Sequence, residues 1–337
     1  MSSTAATPAS SPSPSPSPSS APPSGRPDSA AGRRRAAPGG SAARLKRALN
    51  RLDGTFQHGA WFLVPFLALY ALFLVWPLLS GIWYSLNETN LAGIDTEFIG
   101  LDNYREAFDD PAVWDSLRNT LVFTALVTPM IVITAFGLAL LTHHLKYGTW
   151  FWRLAFFAPF LLPSAVVSDL WEWMYQPDFG LFNNALGTRV PWLLEGGWAM
   201  FSVALTTLWW TVGFAYLLYL AALHAIPPHL YEAAELDGAG PLKRLWHITV
   251  PMVRSVTGLI VILTLLASLQ VFDQIFLMTN GGPNNETRPV VQYIVQQGFT
   301  GYRIGYASAI SYIVFVLIVS VTLLRLLAVR KREEDLR

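Results

Sequence analysis

The residues with the most suggestive spacing lie in one stretch, Ile226-Pro-Pro-His-Leu-Tyr-Glu-Ala-Ala-Glu-Leu-Asp-Gly-Ala-Gly-Pro-Leu-Lys-Arg-Leu-Trp-His-Ile-Thr-Val-Pro251. Pro227 and Pro228 suit a helix start, Tyr231 to Leu236 are good helix formers, and Gly238 permits a sharp turn. Pro241 can then start a second short helix carrying Leu242, Leu245 and Trp246 as an i, i+3, i+4 apolar stripe. The spacing predicts a helix–turn–helix hairpin with acids in its first arm. Its chemistry is docking: such an object suits a groove on a soluble partner.

Other reactive side chains are sparse. There is no Cys, so disulfide, iron–sulfur and thiol chemistry are excluded, and the six His are scattered. The sequence contains no Gly-Lys pair, hence no Gly-x-x-x-x-Gly-Lys-Ser/Thr phosphate loop. Gln270 and Asp273 sit near the end of a long apolar run, where an acid is a functional hypothesis by default; pairing or a structural use is the competing reading. Asp169 and Glu172, a helical turn apart, could form a proton relay, but Trp171, Trp173 and Tyr175 beside them favour a solvated helix end. His143 and His144 read as surface positions.

The elements that must position these residues follow from composition. Of 337 residues, 53% are hydrophobic and only 13% charged, against about 25% in an ordinary soluble domain. Too few polar groups remain to cover a water-facing surface of this size, which excludes a typical soluble enzyme. The net charge of +1 gives no field attracting nucleic acid. Six apolar segments, at about 61–86, 117–142, 151–175, 198–222, 253–278 and 306–329, each match or exceed the ~20 residues a membrane helix needs. Pro65, Pro77, Pro129, Pro159 and Pro163 lie in or near these spans and are expected to kink rather than stop them. The expected class is an all-α polytopic membrane protein with six transmembrane helices.

Residues 1–60 form a different region. An alternating Ser/Pro tract over Ser10 to Ser20 and a Gly/Ala/Arg mixture cannot bury a core, so a disordered cytoplasmic tail is expected. Within it, the basic stretch Ala42 to Leu52 could form a short helix on an anionic membrane surface. With the N-terminus inside, 18 basic residues fall on inner segments and five on outer ones, which favours both termini in the cytoplasm. Residues 331–337 then form a short cytoplasmic tail, and the 226–251 hairpin faces the cytoplasm. The outer loop between the first two spans is acidic, with Glu88, Asp95, Glu97, Asp102, Glu106, Asp109, Asp110 and Asp115 against two Arg.

The hairpin also carries a specific resemblance. Glu232-Ala233-Ala234, Asp237-Gly238-Ala239, Ile248 and Pro251 resemble the EAA loop of ABC-importer permeases, with Leu245 where that family usually has Phe. Thr279-Asn280-Gly281-Gly282-Pro283, Thr287 and Gly305-Tyr306-Ala307-Ser308-Ala309 are similar to the outer end of the MalF-type permeases of carbohydrate importers. Phe98 to Tyr104, Leu117 to Thr120 and Pro159 to Ser164 fit the same group, and the resemblance covers roughly residues 60–330. It implies a type I ABC importer permease fold in the bacterial cytoplasmic membrane, paired with a second homologous permease. It further implies a separate ATP-binding subunit dimer that holds the ATP and Mg and grips the loop through Glu232. An extracytoplasmic binding protein would deliver a sugar, a di- or oligosaccharide. No cofactor is expected on this chain, and no covalent chemistry.

By the same resemblance, sugar-facing positions map to Phe160 and Ser164 in span three and to Trp210, Thr211 and Phe214 in span four. Thr264, Ser268 and Val271 follow in span five, with Gln270 and Asp273 near its outer half. Aromatic faces suit the C–H faces of a sugar and small hydroxyls suit its rim, although Ser and Thr in membrane helices also bond backbone carbonyls. Rival readings are an ABC importer for another solute, such as glycerol-3-phosphate or a polyamine, a proton-coupled carrier, and a membrane enzyme acting on lipid-linked sugars. Phosphate would favour Arg or Lys at the mapped positions, which have none.

Overall fold

A computed structural model describes residues 63–334 of the chain, apart from 91, 92, 94, 95, 144 and 146. The expected tail over 1–60, its basic stretch and residues 335–337 lie outside the described residues. Four helices are long and apolar enough to cross a membrane: α1 (Leu63–Ser85), α3 (Pro111–His143), α7 (Gly196–His224) and the first part of α13 (Ile304–Glu334, apolar through Leu323). Between the first two lie a two-residue antiparallel pairing, Asn87–Glu88 with Glu97–Phe98, and the short α2 (Asp102–Asp109).

The third and fifth expected spans are broken, and in span three this corrects the reading of Pro159 and Pro163 as kinks. In span three, α4 (Thr149–Phe157) and a 3₁₀ turn (Ala158–Leu161) meet α5 (Ser164–Tyr175) at 100°. Pro163 has no N–H to continue the ladder and forces Leu162 into extended backbone, so the helix stops there. Pro77 follows a π turn over Ala71–Val75 in α1, whereas Pro129 lies inside an α3 that runs on past it.

Span five is α10 (Arg254–Leu269), then a break, then α11 (Asp273–Met278). Before it stand α8 (Pro228–Leu236) and α9 (Pro241–Met252), the latter meeting α10 at 63°. These are the two arms of the expected hairpin. The short α6 (Leu181–Leu186) and α12 (Val290–Val295) belong to the connections.

Packing centres on α3 against α7. Phe123, Val127, Ile131, Ala135 and Ala139, a row at every fourth residue, are almost fully buried against Ala204, Ala215, Tyr216 and Tyr219. Alanines on both faces let the helices approach closely, which is how apolar helices gain dispersion contact in lipid. Thr142 and Tyr216 hydroxyls bond at 3.0 Å, and the Tyr175 hydroxyl donates to the Ser202 carbonyl at 3.0 Å. Along α1, by contrast, Phe73, Trp76 and Trp83 are exposed, as suits a helix bathed in lipid.

Candidate functional site

A break in the helix ladder at Gln270–Phe272 lines a cavity of about 420 Å³, and Phe160, just before a second break at Leu162–Pro163, lines it too. Each break frees backbone carbonyls from the helix ladder. Side chains satisfy them: the Trp210 indole N–H donates to Leu162 O at 3.1 Å, and Gln270 Nε2 donates to Leu266 O at 3.2 Å. Ser164, which opens α5, donates to Asp273, which opens α11, at 3.4 Å, so one hydrogen bond joins the two breaks.

Phe160, Trp210, Thr211, Phe214, Thr264, Ser268, Gln270, Val271 and Asp273 all line this cavity, and Ser164 reaches it through its bond to Asp273. The eight positions mapped from the resemblance therefore come together with Gln270 and Asp273, which were singled out as polar groups in an apolar run, from three separate stretches of chain. The Phe160 and Phe214 rings stack at 5.7 Å, placing an aromatic pair in the cavity wall. The lining also includes Phe123, Val127 and Ile131 of α3, which sequence reasoning did not assign to the site because their four-residue spacing reads only as core. Thr207 and Gln274 were also missed; Thr207 lies one turn before Thr211, so helical periodicity could have found it.

At the other end of α10, the hairpin holds the geometry expected from its prolines. Gly238 has φ +72, the left-handed conformation that lets the chain reverse between α8 and α9. Arg244 Nη1 bonds Glu235 Oε2 at 3.0 Å across the turn, and Tyr231 and Thr249 hydroxyls meet at 3.0 Å, so the arms are braced. Glu235 is thereby taken, whereas Glu232 is exposed and forms no ion pair among the described residues. Ala233, Asp237, Gly238 and Pro251 are exposed; Ala234 and Ala239 are half-buried. Leu242 and Trp246 of the apolar stripe stand out, 68% and 62% exposed. His143 is not the simple surface residue expected: its ring packs edge-on against His224 at 4.8 Å. Asp169 is exposed and Glu172 half-buried beside a second, smaller cavity.

The segments that carry the other motif matches also converge. Thr287 hydroxyl donates to Gly282 O at 2.6 Å, and Asn119 Nδ2 donates to the Asn285 and Arg288 carbonyls at 2.9 and 3.2 Å. The Gly-Gly-Pro loop is thus pinned onto the start of α3. Nearby, Asp110 accepts from the Tyr293 and Tyr306 hydroxyls at 2.5 and 2.7 Å, and Arg303 pairs with both Glu106 carboxylate oxygens at 2.7 and 2.6 Å. Burial pushes the Asp110 carboxyl up, but the two hydroxyls, the Ala112 N–H and the Arg288 charge together hold it below the usual range. The same burial and the Asp110 bond push the Tyr293 phenol up to about 12.

Residues 60–333 match the family described as the binding-protein-dependent transport system inner membrane component. The chain belongs to that family. It is 33% identical over 276 residues to the sulfoquinovosyl glycerol transport system permease protein SmoG of Agrobacterium fabrum, covering 80% of this chain and 90% of that one. It is 32% identical to the probable ABC transporter permease protein YurN of Bacillus subtilis, over 81% and 96% of the two chains. The sn-glycerol-3-phosphate transport system permease protein UgpA of Yersinia pestis is 31% identical, over 80% and 92%. Among solved structures, a chain of a bacterial ABC transporter that imports the acidic polysaccharide alginate superposes with a TM-score of 0.71 at 22% identity, covering 86% of this chain and 99% of that one. The fold is that of an ABC importer permease.

Proposed function

We propose that this chain is the carbohydrate-conducting permease subunit of an ATP-driven importer. The carrying observation is the pairing of two features on α10: a cavity of aromatic faces and hydroxyls at one end, and a braced, exposed hairpin at the other. Both termini lie in the cytoplasm in this reading, so the hairpin meets a cytoplasmic ATPase dimer that holds ATP and Mg. Glu232 is the acid left available for basic groups of that subunit, and Leu242 and Trp246 seat in its apolar cleft. A second, related permease closes the cavity from the other side, and an outer binding protein delivers the sugar.

Closure of the ATPases tilts the hairpins and switches the pore between its two openings. The stacked Phe160–Phe214 wall supports a sugar over a small ion, because the apolar C–H face of a pyranose fits a flat ring. The test is uptake in proteoliposomes holding this chain with its partner permease, ATPases and binding protein. Labelled sugar should accumulate only with ATP on the ATPase side. Accumulation by this chain alone, or accumulation driven by a proton gradient without ATP, would overturn the reading.

A further inference from the structure

The hydroxyls around the cavity have their protons turned away from it. Thr207 donates to Val203 O at 2.8 Å, Thr211 to Thr207 O at 2.7 Å, Thr264 to Ile260 O at 2.8 Å and Ser268 to Leu265 O at 3.1 Å. A hydroxyl that already donates inward has only lone pairs left for a ligand. The Trp210 N–H is likewise directed to a backbone carbonyl, and the Ser164 hydroxyl to Asp273. These hydroxyls and the indole therefore offer a ligand acceptors or nothing, and the donors left in the lining are the neutral side-chain amides of Gln270 and Gln274.

Charge points the same way. Among the described residues no Lys, Arg or His lines the cavity, and the one ionisable group that does is Asp273, which is exposed and forms no ion pair with them. An oxyanion entering such a space finds acceptors where it needs donors and a carboxylate where it needs a cation. A hydroxyl-rich neutral molecule finds the reverse, with each of its O–H groups able to donate to a wall oxygen.

We propose that Asp273 and the inward-bonded hydroxyls make this cavity selective for uncharged, hydroxyl-rich glycosides and exclude phosphorylated, sulfonated and carboxylated ones. The inference rests on the carbohydrate reading above and narrows it to one substrate class. Asp273 is the specificity determinant: it sets the sign of the potential, and the hydroxyls set the direction of the hydrogen bonds.

The absence of Cys makes the potential directly measurable. In membranes carrying the complete importer, Ala267→Cys, a cavity-lining position, is reacted with a cationic and an anionic methanethiosulfonate of similar size. Thr264→Cys serves as the second reporter if the first does not assemble. Relative to their rates with a free thiol in solution, the cationic reagent should be favoured about tenfold, from one carboxylate acting across a cavity of this size at an intermediate dielectric. Asp273→Asn, combined with the same cysteine, should bring the ratio back toward the free-thiol value. A ratio that ignores Asp273→Asn, or one that favours the anionic reagent, overturns the proposal and leaves the carbohydrate reading standing. ATP-driven import of digalacturonate or a sugar phosphate by the unsubstituted importer would also overturn it. Failure of all ATP-driven sugar import would instead strike the underlying reading, whatever the reagent ratio.

Discussion

Gly213 gives the sharpest structural prediction, because it sits where α7 crosses α4 beside the cavity. A methyl added there would fall on the Phe156 carbonyl oxygen and come within 2.7 Å of Phe157 Cα, both backbone atoms that cannot rotate aside. Ordinary contact begins at 3.4 Å, so the helices must separate by about 0.7 Å for the looser of these contacts alone. Overpacking of this kind costs about 1–3 kcal/mol, and here it also splays Phe214 away from Phe160. Gly213→Ala should therefore lower the thermal midpoint of the purified importer and reduce uptake at least tenfold, read by fluorescence-detected gel filtration after heating and by labelled-sugar uptake. Gly197→Ala is the control: its added methyl meets nothing within 4 Å, and it should be neutral or stabilise by up to about 1 kcal/mol. A Gly213→Ala importer with unchanged midpoint and unchanged uptake would refute the close crossing.

Other perturbations should separate coupling from scaffolding. Glu232→Lys should leave the chain in the membrane and its midpoint unchanged, yet abolish ATP-driven uptake, which co-purification of the ATPase would report as lost binding. Arg244→Ala should loosen the hairpin without removing the docking acid, so partial uptake with weaker ATPase binding is expected; the pair is exposed on the Glu235 side, so its stability effect is at most about 1 kcal/mol. Asp110→Ala removes the acceptor of two tyrosine hydroxyls and should cost about 1 kcal/mol after solvent screening. Because the folded Asp110 carboxyl titrates below its ordinary value, its contribution is present above about pH 4 and lost as pH falls through the lowered value. The unsubstituted chain should thus lose stability at acid pH more steeply than Asp110→Ala, measured as midpoint against pH.

The hairpin was legible from sequence because its signals are local. Pro228 and Pro241 begin α8 and α9, and Gly238 takes the positive φ that its type allows. The cavity positions were reached only through resemblance, since nothing in the spacing of Phe160, Trp210 and Ser268 tells which helices will meet. The 100° break in span three was misjudged: Pro163 is preceded by Pro159 and Leu162, and two prolines a turn apart leave the ladder no route past. Gln270 reaches back only four residues, to Leu266, whereas the role of Trp210 in capping broken backbone was invisible because it is set by tertiary approach across 48 residues. So was the Asp110 cluster, whose members lie more than 180 residues apart in the chain.

The elbow at Val253 has a mechanical consequence. α9 and α10 meet there at 63° with no loop between them, so a push on the docking arm cannot be absorbed as slack. Ser268 lies about 22 Å along α10 from that pivot, at 1.5 Å per residue. Rocking the rod through about 10° would sweep its far tip by nearly 4 Å, more than the reach of any hydrogen bond holding a cargo molecule there. The crank, the axle and one wall of the cradle are a single continuous run of polypeptide.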